Sequence, residues 1–70
     1  MTLDDKILAV LEKRKGNKLI AEDIRKELEA EYGPNRFFGA TLNKLRKTGN
    51  IKGEKKYDPD RGYAQWRYYL

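Results

Sequence analysis

The apolar pattern of this chain changes period once, at Gly49. Before it hydrophobic residues recur at helical spacing, and after it they alternate. A chain of 70 residues built this way has a helical front and a stranded back around one small core, which is an α+β fold. In the front part, Leu3, Ile7, Val10 and Leu11 form one helical stripe, widened by Leu8. Thr2 with Asp5 three residues on predicts the start of that helix, and Asp4 and Asp5 suit the positive end of its dipole. Lys13, Arg14 and Lys15 fit the last turn, and Gly16-Asn17 the stop. The apolar arc of this helix is about 160° wide, more than one-sided packing needs. The excess serves either a homodimer contact or a core short of material.

Lys18-Leu19-Ile20 has room only for a brief strand. Ile20, Ala21, Ile24 and Leu28 mark the buried side of a second helix, with Glu22, Asp23, Lys26, Glu27 and Glu29 outside. Tyr32 closes it, and Gly33-Pro34 ends it, since glycine accepts a left-handed cap and proline cannot continue the ladder. A third helix is predicted over 35–48, with Asn35 as N-cap. Phe38, Leu42 and Leu45 recur at i, i+4 and i+7 until Thr48-Gly49-Asn50 breaks the pattern. So short a connection between the second and third helices is that of a helix-turn-helix.

Beyond Gly49, Ile51 to Tyr57 reads as a strand. Asp58-Pro59-Asp60-Arg61-Gly62 is a dense turn signal, and Tyr63 to Leu70 is the returning arm of a hairpin. Ala64, Trp66, Tyr68 and Leu70 share one face of that arm; Tyr63, Gln65, Arg67 and Tyr69 share the other. Trp66 and Tyr68 are expected to enter the core with Ile51 and Phe38. Phe37 is expected to be half-buried. Tyr63 and Tyr69 serve first to cover the outer sheet face, although base stacking and partner contact are open to them.

The order helix, short strand, helix, helix, strand, turn, strand resembles the winged-helix superfamily of DNA-binding domains over nearly the full length. The likeness is carried by Phe38-x-x-x-Leu42-x-x-Leu45-x-x-x-Gly49-x-Ile51, the basic hairpin, and the ending Trp66-Arg67-Tyr68-Tyr69-Leu70. No repeat or interdomain linker interrupts the pattern, so residues 1–70 read as a single winged-helix domain.

Composition narrows the function. With no cysteine and no histidine, the chain lacks disulfides, thiolate chemistry, the usual zinc ligands and imidazole catalysis. Its carboxylates fall at caps, on helix surfaces and in turns, and no glycine-rich phosphate loop occurs. Neither an enzyme nor a metal, cofactor or small-molecule site is expected. No apolar run approaches the roughly 20 residues of a membrane span, and the acidic start lacks the layout of a signal peptide. The expected location is cytoplasmic, in association with the nucleoid, or nuclear, according to source.

Net charge is +5, and its distribution is uneven. Residues 1–33 hold seven Lys/Arg and eight Asp/Glu, a net charge of −1; residues 34–70 hold nine and three, a net charge of +6. Such asymmetry points to a cationic face for a polyanion. On a helical wheel Phe38, Leu42 and Leu45 fall within about 60° and must face the core. The opposite side is Arg36, Ala40, Asn43 and Lys47, with Gly39, Lys44 and Arg46 at its margins and no acid. A helix of this kind suits the major groove of double-stranded DNA. Gly39 and Ala40 would permit close approach, Arg36 would bond guanine edges and Asn43 adenine, while Lys44, Arg46 and Lys47 would hold the backbone. In the hairpin, Lys52, Lys55 and Lys56 are candidates for phosphates. The resemblance implies that the wing, 52–63, follows the backbone or minor groove, with Arg61 as the inserting residue.

Plainer readings compete: any surface helix is polar outside, and edge strands carry lysine against aggregation. The acidic second helix and the paired location of the basic residues weigh against them. The function expected is therefore DNA binding, as a small transcriptional regulator or architectural factor. The alternatives are a winged-helix module holding an acidic protein partner, and a binder of double-stranded RNA or Z-form duplex.

Overall fold

The computed structural model describes residues 2–34 and 36–70, and the change of period becomes a helical layer against a sheet. Its elements in chain order are α1 (Leu3–Lys13), β1 (Leu19–Ile20), α2 (Ala21–Tyr32), α3 (Phe38–Lys47), β2 (Lys52–Asp58) and β3 (Tyr63–Tyr69). The sheet is antiparallel with order β1-β3-β2, so the last strand lies in the middle. This is an α+β fold with the winged-helix layout. Among the described residues no helix is long and apolar enough to cross a membrane.

Local chemistry accounts for the boundaries. The Thr2 hydroxyl accepts from the Asp5 amide at 3.2 Å, and the Thr2 amide donates back to the Asp5 carboxylate at 3.4 Å, a reciprocal cap that opens α1. The chain leaves α2 through Gly33, whose φ of 87° suits only a residue without Cβ. The second helix begins one residue later than its apolar pattern suggests. Ile20 is strand, paired with Arg67, while Leu19 pairs with Tyr68. The third helix begins three residues later than predicted, because Phe37 takes the N-cap position without a side-chain hydrogen bond. Asn35, expected as that cap, lies outside the described residues.

The core is a contact between all three helices and the sheet. Ile7, Val10 and Leu11 of α1 meet Ile24 and Leu28 of α2, then Phe38, Leu42 and Leu45 of α3, with Ile51 and Tyr68 closing the sheet side. Leu3 and Leu8 are partly buried against this cluster, so the broad apolar arc of α1 is used at least in part within the domain. Removing each large side chain from water contributes about 1.5–3 kcal/mol, which makes this cluster the main stabilising contribution in a chain without cross-links.

Candidate nucleic-acid interface

Because Phe38, Thr41, Leu42 and Leu45 turn inward, α3 presents a strip of Ala40, Asn43 and Lys47 to solvent, with Gly39 beside it. From Phe38 to Lys47 the helix has no carboxylate. Arg36 is exposed but sits in the turn before α3, so it stands at the end of the strip instead of in a helical row. The later helix start is the reason.

The two margins of this strip are tethered to other parts of the fold. On one side the Lys44 ammonium lies 2.9 Å from Asp4 in the first turn of α1. An exposed pair of this type contributes little stability, but it draws Lys44 away from the outward direction expected of it. On the other side Arg46 folds over Trp66, its guanidinium 4.2 Å from the ring centroid. Such a cation on an indole face is attracted by the ring quadrupole. One Arg46 Nη2–H donates to the Asn43 amide oxygen at 2.7 Å. Its Nε is buried without a hydrogen-bond partner among the described residues.

Gly53 makes this contact possible. A Cβ at that position would lie 2.6 Å from Cδ of Arg46 and 3.3 Å from the Trp66 ring. A bare Cα at this position leaves room for the Arg46 side chain beside Trp66. Trp66, expected in the core, is therefore half-buried, with its outer face roofed by Arg46.

The register of the hairpin divides its lysines. Lys55 pairs with Trp66, Gly53 with Tyr68 and Tyr57 with Ala64, without a bulge from Lys52↔Tyr69 to Asp58↔Tyr63. Since side chains alternate, Lys55 and Tyr57 share the ladder face on which Arg46 and Trp66 meet. Lys52 and Lys56 belong to the opposite face with Glu54. There Lys18 bonds Glu54 at 2.9 Å and lies over Tyr69 at 5.1 Å. The hydrogen bond to Lys18 holds the Glu54 carboxyl below the usual glutamate range, and the same bond raises the Lys18 ammonium. Tyr69 thus helps to cover the outer sheet face, as expected.

At the tip, Arg61 leans back toward α2, 3.8 Å from Glu22 and 3.7 Å from Asp58. With Arg25, Gly39 and Gln65 it lines an open groove beside the part of β3 that β1 does not pair. Entry into a minor groove would require Arg61 to leave these carboxylates, which at such distances and exposure hold it weakly.

Two aromatics stand apart from expectation. Phe37, expected to be half-buried, is 71 % exposed, because the late helix start turns it outward while Phe38 enters the core. Tyr57 is 62 % exposed on the Lys55 face, and reading the sequence did not single it out. Its spacing of two from Lys55 was the available signal. No protein-family model, curated protein or solved structure matches the chain.

Proposed function

We propose that this protein binds double-stranded DNA, with α3 in the major groove and the hairpin on the adjoining backbone. The observation that carries the reading is the Arg46–Trp66 contact across Gly53. It joins Arg46, at the margin of the acid-free strip of α3, to the hairpin face that carries Lys55, which supports a surface shared by the two. Ala40, Asn43 and Lys47 would enter the groove, with Arg36 at the leading end and Gly39 allowing approach. Lys55 would take a phosphate, and Tyr57 beside it would rest on sugar. Lys52 and Lys56 have lesser parts, being on the other ladder face. Lys44, Arg46 and Arg61 would reach DNA atoms directly only by giving up internal partners. A role as a small regulator or architectural factor suits a module of this size. Such modules cover about 600–1,000 Å² and gain selectivity through a second copy or a partner.

The test is fluorescence anisotropy of a mixed-sequence duplex titrated at several salt concentrations. Affinity should fall linearly with salt on logarithmic axes, because each neutralised phosphate releases counterions. Lys55→Ala should reduce the slope by about one, whereas Lys56→Ala should change it less. No duplex binding at low salt would reject the proposal, and equal binding to an acidic peptide would favour a protein partner instead.

A further inference from the structure

We infer that Arg46 converts Asn43 from a reader of adenine into a reader of guanine; the inference rests on the DNA-binding reading above. An unconstrained asparagine on such a helix recognises adenine bidentately, its oxygen accepting from N6 while its nitrogen donates to N7. Here that oxygen already accepts a charge-assisted hydrogen bond of 2.7 Å from Arg46. The assignment of the amide is dictated by chemistry, since a guanidinium has only donors and must face the oxygen. Arg46 is itself held, stacked on Trp66 and wedged over Gly53, so the pair is positioned before any ligand arrives.

The consequence is a change in the character of the exposed edge. Asn43 directs its oxygen along the helix surface toward Arg46, leaving the amide N–H₂ as its available group. An adenine N6 amino group would have to share the oxygen with a guanidinium and approach its positive charge. Guanine offers O6 and N7, both acceptors, to the same site. The amide N–H₂ and the adjoining cation both favour it. Asn43 makes the contact; Arg46 is the positioning residue that sets its polarity.

The experiment is selection of bound sequences from a random duplex library by the intact domain, repeated with Asn43→Ala to identify the base position that depends on this side chain. Guanine is expected there, favoured over adenine by about tenfold, the scale of one well-made base contact. Arg46→Met keeps an apolar stem over Trp66 but frees the amide oxygen, and the same position should move toward adenine. Should Arg46→Met not fold, Asn43→Asp keeps the Arg46 contact while removing the outward donor, and should lose the guanine preference. A further readout needs no DNA: in the free domain, Arg46→Met should shift the Asn43 side-chain amide resonances. Adenine at the Asn43-dependent position, no position depending on Asn43, guanine retained by either variant, or unmoved amide resonances would each overturn the inference while leaving DNA binding intact. Absence of all duplex binding would instead remove the reading on which it stands.

Discussion

Helices α2 and α3 are neighbours in sequence, similar in length, and packed on the same core, yet their outer surfaces differ. In α2, Glu22 and Asp23 occupy the first turn, Lys26 pairs with Glu22 at 3.5 Å, and Glu27 bonds Arg14 beyond α1. Of its acids Glu22 and Glu27 are paired, and the excess of five acids over two bases leaves its outer surface net negative. In α3 there is no acid, and the cations at the margins reach to Asp4 and Trp66 in distant elements, leaving the central strip open. A surface helix thus does not become basic here through composition alone. The lesson is that packing and charge are separable: α2 and α3 do the same work inward and different work outward.

That comparison can be broken in several ways. Its inward half predicts the largest effect. Ile24→Ala and Leu42→Ala each remove a side chain that is at most 1 % exposed. Each should cost about 2–5 kcal/mol, enough to unfold much of so small a domain at room temperature. Thermal melts followed by circular dichroism would measure this, and a cooperative transition left unchanged in one helix would end the claim of equal packing. Next, Gly53→Ala should cost about 1–3 kcal/mol through overpacking against Arg46 and Trp66. It should also weaken duplex binding by opening the angle between hairpin and helix. An alanine variant as stable as the parent would mean that the hairpin is not pressed onto α3.

The outward half predicts smaller changes. Lys47→Glu in α3 should lower duplex affinity by about tenfold, while Lys26→Glu in α2 should alter it by only about twofold, since charge acts mainly at contact distance in salt. Equal losses from the two helices would show that net charge alone governs binding. Smallest is the pH effect at the back of the sheet. Because Lys18 depresses the folded-state pKa of Glu54, the pair contributes stability above the ordinary glutamate value. That contribution is lost as pH falls through that value toward the lower folded one. Glu54→Gln should therefore flatten the acid side of the melting-temperature profile, and parallel profiles would discount the pair.

Much of the fold was legible because each element announces itself locally. The Thr2–Asp5 cap, the stop at Gly33 and the turn at Asp58–Gly62 are signals of a few residues, and the five long elements occur in the expected order and type. The start of α3 was not legible: Phe37 and Phe38 are chemically alike, and only the neighbouring helices decide which one is buried. The candidate site was harder still. That Lys44 and Arg46 would be engaged depends on Asp4 and Trp66, 40 and 20 positions away, which no local pattern reveals. The separation of Lys55 from Lys56 could have been read, since adjacent residues in a strand oppose one another.

The absence of a side chain at position 53 has a reach beyond local packing. It leaves the Arg46 side chain a seat beside Trp66, as a notch in a hinge leaf leaves room for its pin. Drift to any larger residue here would unseat that cation, so position 53 constrains the chain although it carries no charge of its own.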